Sequence, residues 1–554
     1  MNRKLFLLAL FCLCITQINF SQTIANDDKN RVSPELRKDA IVFLRETSAE
    51  VNNLRSLENR ISFSAELASL MWFEDEKEAR AMFQAAINDF RQLFANYDAQ
   101  INAAGITPND ERMFMPGADA TAQLARKFMK AISVREQIAT AIAEHDPQLA
   151  LDFFNDTALA ITNPEFKKQI TERDVYFEAR LLQQIAEKDV DTALKYARKS
   201  LEKGFNYETI GLLKKIYEKD AEKGVSFGED VLAKLKSDGA GPETFYLLNS
   251  LLDLGASSFD SAKGKSDKKP VFSEQSLREI ADLFARQILN RENIDGDNFS
   301  GFISQIERFA PSRAAQIRQK FKIKTPKTAA VSGGSVSVEA DSEAESIKDS
   351  PEKSLGNLGN LGDKQLSKEE REKAISAAQK IIGGIKDPNQ KLYALSALAL
   401  QIAKSGDKET ASKIMDESRA MVNLQPKNYM DFMQVWLLAS GYAQVDADKA
   451  FPFLEDAIFR LNDTISAFVK VGEFIDVNGD MIEDGEIQVG SFGGDISREL
   501  LRNLGATDTT IRSLAVADFA RTRALTNKFD RPEARILAKM LVLRGILVAE
   551  KVKS

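Results

Sequence analysis

Leu395-Ser396-Ala397-Leu398-Ala399-Leu400-Gln401-Ile402-Ala403-Lys404-Ser405-Gly406-Asp407-Lys408-Glu409-Thr410-Ala411 is the stretch whose reading decides the fold. Its apolar positions return every three or four residues, which predicts a helix with one buried face. Gly406 then allows a turn. Asp407 is placed to accept hydrogen bonds from the free N–H groups that open a second helix. Ala411, one turn further, is small enough for the two helices of a hairpin to approach closely. Met415, a turn beyond that, fills the groove between hairpins.

The same phrase recurs along the chain. Copies are Asp75/Ala79/Phe83, Asp146/Ala150/Phe153, Asp189/Ala193/Tyr196 and Asp446/Ala450/Leu454, with Asp220/Gly224/Phe227 as a degraded copy. A unit of one helical hairpin cannot bury its apolar face alone, so such units stack. Helical patterning covers about 34–97, 118–161, 164–237, 242–254, 272–321, 366–475 and 496–551, and Ser33-Pro34-Glu35 is a helix-start signal. Strict alternation is almost absent, and Glu486-Ile487-Gln488-Val489 is the best strand candidate. The expectation is an all-α chain, an α-solenoid of helical hairpins.

Leu398-Ala399, Ile402, Gly406-Asp407 and Ala411 resemble the tetratricopeptide-like repeats, and Ala79, Phe83 and Ala86 are similar to the second-helix pattern of that family. The first-helix Trp of the family is missing, and Pro does not regularly end the units. The resemblance implies a superhelix whose concave surface takes protein or peptide partners.

The composition fits a globular class: 554 residues, 75 Lys+Arg against 82 Asp+Glu, and 44% hydrophobic. A net charge of −7 argues against a nucleic-acid phosphate backbone as partner. A single His rules out His₂ and His₃ metal sites. Two Trp argue against a deep sugar-stacking cleft.

At the N-terminus, Arg3 and Lys4 precede the apolar run Leu5–Ile15, and small-residue patterns precede Ser21 and Ala25. This predicts a secretory signal peptide over 1–25, whose eleven-residue apolar run is too short to span a bilayer as a stable helix. Cys12 and Cys14 both lie in that run, behind Phe11 and Leu13 rather than small residues, so lipidation is not expected. The mature chain then holds no Cys, hence no disulfide and no thiolate metal site.

Two polar gaps interrupt the helices. Residues 322–368 contain Ser-Gly-Gly, acidic Glu339–Glu345 and repeated Gly-Asn-Leu, which predicts a flexible linker. It separates an N-terminal helical-repeat domain at 26–321 from a C-terminal one at 369–554. In the shorter gap, Gly264-Lys265-Ser266 lacks the earlier Gly of a phosphate loop, which is Phe259, and reads as a surface loop.

Candidate chemistry is sparse. His145 stands in a turn whose equivalents elsewhere are Glu74, Lys188 and Lys219, so a solvent-exposed slot is expected rather than a general base. Asp476, Asn478 and Asp480 place oxygens at alternate positions, as a calcium loop does, but Met481 and Ile487 stand where its Gly and bidentate Glu belong. Asn293–Asp297 departs in a similar way. Trp72 and Trp436 read as core aromatics. No catalytic residue and no cofactor site is recognised.

The last helix, opened by Asp530-Arg531-Pro532-Glu533, is apolar over most of its circumference from Ile536 to Ala549. It is too short to span a membrane. It is either core or an interface for self-association or a partner. The functional expectation is an exported, non-enzymatic scaffold in the cell envelope, periplasmic or extracellular if bacterial. The alternatives are an all-helical glycan-processing enzyme and a structural subunit of an envelope complex.

Overall fold

The computed structural model describes residues 32–107, 120–238, 244–263, 269–291, 299–323, 368–475, 481–493 and 508–548. The signal-peptide segment, the interior of the 322–368 linker, the 264–266 and 293–297 loops, and Asp476, Asn478 and Asp480 lie outside these residues. Among the described residues the chain is all-α apart from one two-stranded hairpin. The first helix is α1 (Pro34–Val51). Two compact units follow from the packing, and neither is a contiguous stretch of chain.

One unit spans Leu54–Ser346 and takes in Val469–Arg498. Its helices are α2 (Leu57–Met71), α3 (Glu76–Ala104), α4 (Ala120–Ala143), α5 (Pro147–Leu159), α6 (Pro164–Ala186), α7 (Val190–Lys203), α8 (Tyr207–Lys219), α9 (Ala221–Asp238), α10 (Phe245–Ala262), α11 (Glu274–Leu289), α12 (Phe299–Phe309) and α13 (Pro311–Phe321). Helices adjacent in the chain pack together, α9 and α10 excepted, and α2, α4, α6, α8, α10 and α12 also pack in series, each on the next of the set. This nearest-neighbour order is that of a stacked repeat array. One apolar core runs through it, rich in Phe and Ala.

The repeated phrase sits at the hairpin turns. The side chains of Asp75, Asp146 and Asp189 accept from the backbone N–H of Glu78, Leu149 and Thr192 at 2.9–3.0 Å, opening α3, α5 and α7. Ala79, Ala150 and Ala193 are fully buried, as are Phe83 and Phe153 within about a percent. Tyr196 is half-buried, its hydroxyl bonded to Gln148 at 2.7 Å. The degraded copy has a steric reason. Asp220 still accepts from Lys223 N–H at 3.0 Å, but α8 and α9 are so close that a Cβ on Gly224 would lie 2.4 Å from Tyr217 Cα.

Arg135 on α4 is fully buried. It makes a bidentate pair with Asp174 on α6 at 2.8 and 2.9 Å and donates to Thr157 and to the carbonyl of Phe154 on α5. Its guanidinium lies 3.9 Å over the Phe154 ring. Burial pushes the Asp174 carboxyl up, and Arg135 opposes that shift. This pair bolts three consecutive helices together.

The other unit comprises residues up to Asn53, Ile347–Phe468 and Glu499 onward. It contains α1, α14 (Lys368–Gly383), α15 (Pro388–Lys404), α16 (Lys408–Arg419), α17 (Tyr429–Val445), α18 (Ala447–Ile475) as far as Phe468, α19 (Asp508–Ala517), α20 (Phe519–Thr526) and α21 (Pro532–Leu547). Asp407 accepts from Thr410 N–H at 3.0 Å, and Ala411, Met415 and Ala450 are fully buried. Asp446 forms the tight turn between α17 and α18, its carboxylate 4.0 Å from Lys449.

The contiguous limits read from the sequence, 26–321 and 369–554, differ from this division at the first helix and at Val469–Arg498, which groups with the N-terminal array. α1 packs on α21, the last described helix. The reason is the all-round apolarity of α21, which needs cover on several sides. Ile536, Met540, Val542, Leu543 and Ile546 are buried against α1, α19 and α20. Phe43 meets Phe519 edge-on at 5.8 Å, and buried Lys539 pairs with Glu50 at 2.5 Å. Of the two sequence readings for the last helix, the structure shows core.

Candidate docking faces

The series α2, α4, α6, α8, α10 forms one side of the first unit, and a segment from far along the chain covers its start. Strands β1 (Ile482–Glu483) and β2 (Glu486–Ile487) pair antiparallel through Asp484-Gly485, both at positive φ of 50° and 72°. Asp-Gly is the sequence suited to that turn. A short 3₁₀ turn, Gly490–Phe492, follows and packs on both α2 and α4.

The hairpin is fixed by buried polar chemistry. Glu486 is 1% exposed and its carboxylate accepts from the backbone N–H of Arg55 at 2.9 Å and Ser56 at 3.2 Å, just ahead of α2. Ser56 is the N-cap of α2, a helix start where negative charge is favoured. Asn59 donates to the Ile487 carbonyl at 2.9 Å and accepts from Val489 N–H at 3.0 Å. Gln488 donates to the Ser56 hydroxyl at 2.9 Å. On α4, Lys127 pairs with Glu483, and Lys130 donates to the Gly493 carbonyl at 3.1 Å.

An acidic cluster lies beneath. Tyr97 donates to Glu58 at 2.5 Å, and Ser56 donates to the other oxygen at 3.2 Å. Burial first, and then Glu58, push the Tyr97 phenol far above its ordinary range. Burial pushes the Glu483 carboxyl up as well, opposed by Lys127. Glu58 and Glu486 spend their oxygens on neighbouring donors, so the cluster holds structure together. Among the described residues no group of three His, Cys, Asp or Glu side chains is arranged to hold a metal ion.

Beyond the hairpin the helix series carries exposed tyrosines. Tyr176 on α6, Tyr207 on α8 and Tyr246 on α10 are 52, 50 and 59% exposed. The turn into α8 lies against α6, since a Cβ on Gly204 would be 3.8 Å from Val175. Burial and the nearby Tyr246 phenol together push the Tyr207 phenol up. Phe245, buried beneath, holds Tyr246 edge-on at 5.1 Å. The tyrosines elsewhere in this unit are engaged: Tyr97 with Glu58, Tyr196 with Gln148, and Tyr217 with the carbonyl of Lys269.

In the other unit, α16, α17 and α18 enclose a groove of about 460 Å³ lined by Arg419, Leu424, Val435, Tyr442, Pro452 and Phe453. Tyr442 and Phe453 stack at 5.6 Å, with Arg419 5.4 Å over Phe453. Burial pushes the Asp416 carboxyl up, but Lys449 and Tyr442 outweigh it and hold it below the usual range.

His145 departs from its expected exposed slot. It is half-buried, stacks on Trp72 at 5.1 Å and meets Phe73 and Phe83. Arg80 lies 4.8 Å over the other ring of this group, Trp72, and pairs with Asp146. The turn residue is therefore part of an aromatic packing cluster between consecutive hairpins. Trp436 is partly buried against the core of the second unit.

No family model matches the sequence, and no curated relative matches it. Among solved structures the chain is similar to a circular tandem repeat protein with novel repeat topology and enhanced subunit contact surfaces. The two are 13% identical, the alignment covers 93% of this chain and 99% of the other, and the TM-score is 0.17. The helical-repeat fold described here rests on the helices and their packing. No described helix is long and apolar enough to cross a membrane.

Proposed function

We propose that this protein is an exported, non-enzymatic helical-repeat scaffold that binds protein partners in the cell envelope. The observation that carries the binding role is the exposed tyrosines of the first unit. Tyr176, Tyr207 and Tyr246 are exposed on three helices that pack in series. Tyr supplies contact area and a polar tip at low conformational cost, which suits it to interfaces. Export rests on the basic start, the apolar run Leu5–Ile15 and the confinement of Cys to it.

The reading is tested in two steps. N-terminal sequencing of the protein recovered from its native cell is expected to begin near Ser21 or Ala25, and retention of Met1 in a cytoplasmic product contradicts export. Cross-linking in the envelope fraction is then expected to join specific proteins to peptides carrying Tyr176, Tyr207 or Tyr246. Cross-links confined to other surfaces contradict the assignment of this face.

A further inference from the structure

The groove between α16, α17 and α18 belongs to the other unit and does not involve the tyrosines of the first. Leu424, Val435, Pro452 and Phe453 line it, with the fully buried Tyr442 stacked on Phe453, the rings 10° from parallel. Four charged side chains line it as well: Arg419, Asp448, Lys449 and Asp456. Three of these have a partner. Asp448 pairs with Arg521 at 3.4 Å, Asp456 with Arg460 at 3.0 Å and Lys449 with Asp416 at 2.8 Å. The Tyr442 hydroxyl is also spent, donating to Asp416 at 2.6 Å.

Arg419 is the exception. Its guanidinium makes no hydrogen bond or ion pair with any described residue. Asp416 lies within reach of its charge, but both Asp416 oxygens accept from Lys449. Arg419 is instead seated 5.4 Å over the Phe453 ring, and a guanidinium stacked on a ring keeps its N–H edge available for a planar anion. The groove therefore offers one spare cation beside an apolar lining.

We propose that this groove is a binding site for a small monocarboxylate with an apolar body. The Arg419 fork takes the carboxylate through paired N–H···O bonds, the strongest geometry available to it. Leu424, Val435, Pro452 and Phe453 take the body, and the volume of about 460 Å³ falls within the range of about 300–1,000 Å³ usual for small-ligand pockets. The charge count sets the anion. One spare cation neutralises one negative charge, and the Asp448 and Asp456 carboxylates beside it repel a second. The polar count sets the size. A peptide brings backbone N–H and C=O groups that each need a partner when buried, whereas the other polar side chains lining this groove are engaged with one another or with their neighbours. A ligand with a single polar group fits that inventory.

The test is titration calorimetry on the full-length protein with phenylpropionate. Its neutral amide, acetate and phenyl phosphate are the controls for charge, apolar body and a second negative charge. Phenylpropionate is expected to bind at least about tenfold more tightly than each control. Arg419→Gln is expected to lose that binding by a similar factor and to melt with the wild type, since its side chain is exposed and unpaired. Leu424→Gln, which alters the apolar lining and leaves the cation, is expected to weaken phenylpropionate and leave acetate unchanged. Acid and amide binding alike, binding untouched by Arg419→Gln, or no binding of phenylpropionate at all overturns the proposal. Tighter binding of phenyl phosphate overturns the monoanion class. A short N-acetylated peptide ending in phenylalanine with a free carboxylate is the last arm. If it binds more tightly than phenylpropionate, the groove belongs to a polypeptide end and the proposal falls. These outcomes are independent of the envelope cross-linking above, so the scaffold reading and this site fail separately.

Discussion

The start and the middle of the helix series in the first unit solve different problems. Across α2 and α4 the hairpin is seated by a buried carboxylate and a buried amide, each with two partners, and by two lysines with one each. Across α6, α8 and α10 the exposed groups are three tyrosines with no hydrogen bond to any described residue. A site that satisfies buried polar groups admits one occupant, because any other leaves donors or acceptors unpaired. A row of half-exposed rings tolerates many sequences and distinguishes ligands by shape and spacing. The permanent contact is polar and buried, and the exchangeable one is aromatic and open.

The largest way to break this comparison is at the joint between the two parts. Arg135 ties α4, on the covered stretch, to α6, on the open one. Arg135→Ala leaves Asp174 buried without its cation and is expected to cost about 3–5 kcal/mol in denaturant unfolding. A cost below 1 kcal/mol would mean that the two stretches are not rigidly joined.

Next is the hairpin seat. Glu486→Ala strands the buried Ser56 N–H and the part-buried Arg55 N–H and is expected to cost about 1–3 kcal/mol. Hydrogen exchange should speed up at Arg55 and Ser56 while α8 and α10 keep their protection. Uniform loosening of the whole unit would show that the hairpin supports the array rather than covering its start.

The repeat register itself is tested by small residues. Gly224→Ala places a Cβ against Tyr217 Cα, and Ala411→Leu overfills a fully buried crossing, so each is expected to cost about 1–3 kcal/mol. Unchanged melting of either variant contradicts the close approach assigned there.

These positions also show what the sequence could disclose. The Asp and Ala of the phrase were legible because cap and close contact lie four residues apart in one helix start. Asp518, which caps α20 by accepting from Arg521 N–H at 2.8 Å, escaped because Thr522 replaces the marker Ala. Glu486 read as part of a strand, but its partners lie some 430 residues away, and no local spacing announces them. Trp72 and His145 stack across neighbouring hairpins, so the turn position alone suggested a solvated residue. The exposed tyrosines were hidden for a related reason: Tyr207 and Tyr246 come near each other only once the turns between their helices are known.

The smallest expected effect is on pH dependence. The Glu483 carboxyl is raised in the folded state above its ordinary value of 4.5, so the native protein binds more protons than the unfolded chain just above that pH. Stability relative to Glu483→Gln is therefore expected to fall as pH rises from about 4.5 through the raised value, and to level off above it. A difference that grows over that range would show that the Lys127 pair outweighs burial.

The most direct measurement of the central claim is tyrosine modification of the full-length protein by tetranitromethane, mapped by mass spectrometry for the isolated protein and for the protein in its envelope fraction. The expected pattern is ready nitration of Tyr176, Tyr207 and Tyr246 in the isolated protein, with Tyr97 and Tyr442 unreactive throughout as buried controls. In the envelope fraction the three exposed tyrosines of the first unit should be protected while Tyr393, exposed on α15, stays reactive. Equal nitration of Tyr176, Tyr207 and Tyr246 in both samples would contradict a scaffold that binds partners there.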